Sequence, residues 1–363
     1  MAEYELDDKD IRILNALEKH GAKKSTEELE NILGIPARTI RYRLSKMKEN
    51  KILLSPYAMT YERKLGLGEH ILIMNQKNPS KLGLDRLIKA MPPFYWFSPT
   101  YGKYNGYVVH SVYPLSDSEV NEQILYQMKK HNLISDYYLF DMVDFHVKPV
   151  DFSHYCHEDR WIWDWSRWPD IVEKCLMKDE FHPPITQDPH PVSFNSKDIR
   201  LLRYLTRNAD MTLKDLGDIL NLSETQINRR INHLEQEGVI KGYKCVIGEF
   251  GQELLVSCFI QLLRPYDSVL SCFYQLPFPL YVMMQSPTEF CIRFGLPMEE
   301  TKDFLQAFDE LRPHLESFFF QTQHDPSLVP TYRAYDLYDE EKNSWQSMKA
   351  RCIQVIDEFA DTR

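Results

Sequence analysis

No stretch of this 363-residue sequence approaches the ~18 uninterrupted apolar residues that a membrane helix needs. Its opening residues, Met1 to Asp8, are acidic where a signal peptide is basic and then apolar, so the expected location is cytoplasmic, with no membrane partner. Positive charge is not in excess: 43 Lys and Arg against 53 Asp and Glu leave a formal charge of −10. That excludes coating nucleic acid with the whole surface and leaves room for a local basic patch. A disulfide framework is missing too. Cys156, Cys175, Cys245, Cys258, Cys272, Cys291 and Cys352 are odd in number, scattered, and partly set inside apolar runs such as Val256 to Ile260. No phosphate-cradling glycine loop, nucleophile-elbow serine or zinc-protease helix occurs. On that basis the chain reads as a non-enzyme, with no catalytic residue, cofactor or metal assigned.

What is present is a repeat. The length calls for two to four domains, and 43% apolar with 26% charged residues suits folded, soluble ones. Lys9-Asp10-Ile11-Arg12 recurs as Lys197-Asp198-Ile199-Arg200, 188 residues on. With a one-residue gap the match continues: Leu29 faces Leu216, Ile32 to Ile35 face Ile219 to Leu222, and Ile40, Arg43 and Leu44 face Ile227, Arg230 and Ile231. Two homologous halves follow, roughly 1–188 and 189–363. Between them, residues 149–193 hold six prolines, four tryptophans and four histidines, an extension and linker with a short helix after Pro169.

Each half opens with three predicted helices. Asp7 or Asp8 caps the first; Ser25 and Glu28 form a capping box for the second, which Gly34 ends. The third, from Pro36 to Glu49, buries Ile40, Leu44 and Met47, and at ~100° per residue this turns Arg38, Tyr42 and Ser45 outward, flanked by Arg41, Lys46 and Lys48. Residues 36–51 carry six bases against Glu49, a net +5 in an acidic chain. A short helix, a tight turn and a second helix with a polar outer face form the geometry that enters a DNA major groove. In the second copy Ser223 and Gln226 form the box, Ile227, Ile231 and Leu234 the buried stripe, and Thr225, Asn228, Arg229 and Asn232 point outward. Three bases meet three acids over residues 223–241, so this copy's attraction to phosphate is weaker. Arg43 and Arg230 lie only ~60° from the buried stripe, which favours structural ion pairs for both.

Asn195 to Leu202, Leu216, Leu222 to Ile231 and Leu234 to Tyr243 resemble the Lrp/AsnC transcription-regulator signature nearly position for position. The first copy is similar but has Pro36 where Ser223 caps its helix, and Asn50-Lys51 in place of Glu237-Gly238. The resemblance implies an α+β chain: a tandem repeat of a winged helix-turn-helix three-helix domain plus a ferredoxin-like βαββαβ (RAM-type) domain. The expected units are 1–60, 66–150, the 151–193 extension, 194–248, 252–326 and 327–363. Strands are expected at 69–76, 94–101, 106–113 and 136–147 with helices at 82–91 and 117–131, and again at 253–263, 279–286, 289–295 and 316–323 with helices at 266–276 and 299–312. The resemblance further implies a regulator of double-stranded DNA, with recognition helices at about 36–49 and 223–237. It implies an amino-acid-like effector near the turn carrying Gly102, Asn105 and Gly106, and self-association through the βαββαβ domains.

Two other readings stay open: a ligand-sensing oligomer that never touches DNA, and a haem-precursor decarboxylase of this family's likeness, in which His110 and His146 would serve. His154, Cys156 and His157, with Cys175, His182 and His190, match no standard zinc spacing. Trp161, Trp163 and Trp165 alternate as one face of an extended segment seated on a core.

Overall fold

The computed structural model describes residues 4–77, 83–156, 160–161, 163–186, 190–247, 253–323 and 334–361. The first half begins with α1 (Asp8–His20), α2 (Thr26–Leu33) and α3 (Ala37–Glu49). Asp7 caps α1 through a box with Asp10, Ser25 caps α2 through a box with Glu28, and Gly34 ends α2 in the left-handed conformation at φ 65°. Strand β1 (Leu53–Thr60) follows as the wing. The sheet domain then runs β2 (Leu67–Gln76), α4 (Leu84–Ala90), β3 (Phe94–Gly102), β4 (Gly106–Pro114), α5 (Val120–Lys130), β5 (Ile134–Met142) and β6 (Asp144–Lys148). The extension contributes the short strands β7 (Tyr155–Cys156) and β8 (Arg160–Trp161) and helix α6 (Trp168–Leu176).

The second half repeats the order: α7 (Ser196–Leu205), α8 (Leu213–Leu220), α9 (Glu224–Gln236), the wing β9 (Ile240–Ile247), β10 (Glu253–Leu262), α10 (Leu270–Phe273), β11 (Leu280–Ser286), β12 (Glu289–Pro297), α11 (Thr301–Asp309) and β13 (Leu315–Gln323). A small ribbon of β14 (Tyr338–Asp339) and β15 (Ser344–Trp345) and helix α12 (Lys349–Asp361) close the chain. The fold is thus α+β, with two winged helix-turn-helix units and two βαββαβ sheets. Among the described residues no helix is long and apolar enough to cross a membrane.

Two expected elements differ. The helix expected at 266–276 shrinks to α10, because Asp267 Oδ1 accepts from Val269 N–H and holds a turn where the helix would begin. The strand expected at 136–147 breaks at Val143, whose N–H donates to Met284 O at 2.8 Å. Its first part, β5, stays on β2, while β6 crosses to pair with β11 of the other half.

That crossing joins the halves. Among the described residues nine strands follow the order β5-β2-β4-β3-β13-β10-β12-β11-β6. Its two ends, β5 and β6, are consecutive in the chain, joined at Val143. The two sheets pack face to face: Ile71, Ile73, Val108, Phe140 and Met142 meet Phe259, Met283 and Cys291. Phe140 and Phe259 stand edge to face at 5.7 Å. The alternate residues Leu72 and Met74 face α4 and α5 instead. Burial on both faces explains why β2 shows no polar alternation. The sheets of the two halves thus associate within one chain.

Each half's extension braces the other half. Helix α6 packs on α10, and Trp168 Nε1–H donates to Ala307 O at 2.9 Å. Helix α12 lies across α4 and α5, burying Cys352 and Ile356 in the first half's core. Trp165 sits in a one-turn 3₁₀ helix, not an extended segment, and donates to Glu300 at 2.8 Å. The side chain of Trp161 lies outside the described residues.

Candidate nucleic-acid interface

The wings β1 and β9 pair antiparallel, with Tyr57 opposite Lys244, and this ribbon mounts α3 and α9 on either side of a pseudo-two-fold axis. On α3, Ile40 and Met47 are buried, and Arg38, Arg41, Tyr42, Ser45 and Lys48 are exposed, Tyr42 by 64%. Lys46 is half-buried against Glu49 at 2.7 Å. On α9, Ile227, Ile231 and Leu234 are buried; Thr225, Asn228, Arg229 and Asn232 are all exposed.

Charge pairing trims the basic face of α3. Arg43 reaches Asp7 at 2.6 Å and the buried Asp10 at 2.9 Å, and Arg230 repeats the contact with Asp198 at 2.6 Å. Arg41 lies 3.1 Å from Glu27, both exposed, and Lys48 lies 2.7 Å from Asp210 of the second unit. Exposed pairs of this kind contribute about 0–1 kcal/mol and yield readily to a phosphate. The Arg43 pair is different, since Asp10 is only 2% exposed. Replacing Arg43 with Met, which strands that carboxylate, is expected to cost about 2–3 kcal/mol in urea unfolding, whereas Arg38→Ala stays within about 0.5 kcal/mol.

A second polar cluster lies inside the joined sheets. Arg293, on β12, stacks over Trp96 at 4.9 Å and donates to Ser257 Oγ and to His110 Nε2, each at 2.9 Å. Because a guanidinium only donates, His110 Nε2 carries no proton and Nδ1–H points at Glu69 Oε1, 2.9 Å away. Tyr95 OH also donates to Glu69. Among the described residues Arg293 Nη2 is buried without a partner. Beside the cluster His70 stacks on Tyr113 at 4.1 Å and accepts from Asn121. None of this network except His110 was singled out from sequence. The available signal was charge inside apolar runs, Glu69-His70 in β2 and Arg293 in β12.

Burial pushes the carboxyl of Glu69 up to about 7 and holds His70 and His146 down to about 4, with His110 also well below its ordinary value. His146 stacks on Tyr274, whose OH is 3.0 Å away. The three histidines are neutral when folded and take up protons on unfolding, so their contribution, complete above about 6.5, is lost as pH falls toward 4. Glu69 acts in the opposite sense: it keeps its proton when folded, and its contribution fades as pH rises from about 4.5 to 7. The three histidines gain protons on unfolding against the one that Glu69 releases, so stability is expected to fall as the pH drops from 7 toward 5. Urea titrations between pH 7 and 5 measure that fall.

The turn proposed for an effector is a clasp between halves. Gly102, at φ 145°, faces Gln321 across the β3–β13 junction, where a Cβ would stand 2.3 Å from Phe320 O. Gln321 Oε1 accepts from Tyr104 N–H and its amide donates to Tyr104 O and Thr100 Oγ1. Asn105 spends its amide on Gly102, and Gly106 packs against Met74 O. Gly102, Asn105 and Gly106 are brought together, but the turn's polar atoms are already engaged. Among the described residues no three His, Cys, Asp or Glu side chains gather as metal ligands. The side chains of Cys156 and His157 lie outside the described residues.

Residues 194–241 match the winged helix-turn-helix DNA-binding family. An uncharacterised HTH-type transcriptional regulator of Pyrococcus horikoshii is 37% identical over 67 residues, 18% of this chain and 43% of that protein. The leucine-responsive regulatory protein of Rhizobium meliloti is 29% identical over 84 residues, 23% of this chain and 54% of that one. The chain spans about half the length of the curated relatives it matches. The solved structure of the siroheme decarboxylase NirDL is similar over 97% of this chain and 98% of its own, with TM-score 0.51 and 13% identity. The expectation of a non-enzyme is corrected by that finding: the architecture shared across the whole chain is that of an enzyme. The absence of short catalytic motifs does not decide the matter, because a site assembled from several strands would leave no short signature.

Proposed function

We propose that this chain is a single-chain, pseudo-dimeric reader of double-stranded DNA acting in transcription, a reading supported by the match of its second winged-helix unit to DNA-binding winged helices and by its similarity to Lrp-type regulators. The observation that carries this is the pair of recognition helices, α3 and α9, exposed along their outer faces and mounted on one β1–β9 ribbon. Arginines on α3 suit guanine O6 and N7 or phosphates; asparagines on α9 suit adenine N6 and N7. Linking both helices in one chain raises the effective concentration of the second contact. An amino-acid-like effector acting at the Gly102–Gly106 turn would compete with Gln321 for its backbone. Binding to genomic fragments across a salt series tests the reading: affinity falls steeply with salt for a groove reader, and salt-independent binding or none at low salt refutes it.

A second reading has its own observation. Arg293, with one buried nitrogen unpartnered among the described residues, stands beside Glu69 and His110, and these groups are suited to hold a carboxylate and move a proton. Chemistry on a tetrapyrrole carboxylate there is tested by anaerobic incubation with siroheme and mass spectrometry. Carboxyl loss that Arg293→Met abolishes favours it; an unchanged tetrapyrrole excludes it.

A further inference from the structure

The two winged-helix units meet through contacts that can be matched one by one. Beyond the one-residue gap, equivalent positions lie 187 residues apart. Ala22 N–H donates to Tyr243 O, and its mirror contact runs from Ala209 N–H to Pro56 O. Tyr57 and Lys244, themselves equivalent, pair with each other at the ribbon's centre. The backbone is symmetric, and the charges are not.

Lys48 of the first unit lies 2.7 Å from Asp210 of the second. The mirror pair is Lys23 and Glu235. Lys23 Nζ sits 4.4 Å from the centre of the Tyr243 ring, Tyr243 OH donates to Glu235 at 2.6 Å, and both Glu235 and Asp210 attract Lys23. The first unit thus supplies lysine at both positions and the second a carboxylate at both. A third charge pair exists on one side only. Glu18, with 3% of its side chain exposed, meets Lys244 at 2.9 Å, while the equivalent positions hold the neutral Thr206 and Tyr57.

Pairing like with like breaks each of these. Two copies of the first unit would set Lys23 against Lys48 twice and leave Glu18 buried without its lysine. Two copies of the second would set Asp210 against Glu235 twice and Lys244 against another Lys244 at the ribbon's centre. Like charges held opposite each other destabilise a ribbon, and a buried charge without its partner costs more.

We propose that this surface is a charge code: the first winged-helix unit accepts only the unlike, second unit as its partner and rejects a copy of itself. A ligand spanning the ribbon is then always offered one α3 and one α9, never two of either. The code holds whether or not that ligand is duplex DNA.

Three full-length variants test it through hydrogen exchange of the β1 and β9 amides at low salt. Lys23→Glu with Lys48→Glu makes both units acidic, and Asp210→Lys with Glu235→Lys makes both basic. The third carries all four substitutions and exchanges the charges between the units. Ribbon protection is expected to fall about tenfold in each double variant and to return to within about twofold of wild type in the quadruple one. Unchanged protection in the double variants, or a quadruple variant as unprotected as they are, overturns the proposal.

Discussion

Replacing Arg38 and Arg41 together with alanine lowers affinity for the duplex by about 100-fold, and the Asn228→Ala, Asn232→Ala pair lowers it by about tenfold. The difference follows from charge. Residues 36–51 carry a net +5 and residues 223–241 a net of zero, so counterion release is concentrated on α3. Ion pairing inside the protein sharpens the choice of residues. Arg43 is committed to Asp7 and Asp10, which leaves Arg38 and the loosely held Arg41 as the arginines that α3 presents. If both contact phosphate, the double variant's slope of log affinity against log salt is shallower by about 1.8. Fluorescence anisotropy across a salt series measures both quantities. Equal losses in the two variants would contradict the charge argument.

Trp168→Ala costs about 3–5 kcal/mol of stability in urea unfolding, the range for deleting a buried tryptophan. Trp168 is 3% exposed, donates to Ala307 O and packs against Trp165 at 5.9 Å, with Val172 and Cys175 in the same core. Removing the indole opens a cavity between the extension and α11 and removes the hydrogen bond to Ala307 O. A cost below about 1 kcal/mol would mean that the 149–193 region is a linker draped on the surface and does not brace the second half.

Local signals carried much of this architecture. The repeated Lys-Asp-Ile-Arg tetrapeptide placed the second half, capping boxes at Ser25 and Ser223 placed the helix starts, and helical geometry marked Arg43 and Arg230 for structural ion pairs, though not their partners Asp10 and Asp198. These depend on residues close in sequence or at helical spacing. The crossing of β6 was illegible because nothing local distinguishes a strand that continues on β2 from one that turns at Val143 onto β11. The Glu69–His110–Arg293 cluster was illegible for the same reason, since its members come from strands of both halves. The Gly102–Gly106 turn shows the converse: its sequence was noticed, but its partner, Gln321, stands on the other half.

Footprinting of a selected genomic site, at one chain per site, distinguishes a single-chain reader from a conventional dimer. Two protected segments in successive major grooves are expected, covered by a single chain, with one segment more strongly protected and more salt-sensitive than the other. Two equally protected, symmetric segments, or protection that requires two chains, would contradict that expectation.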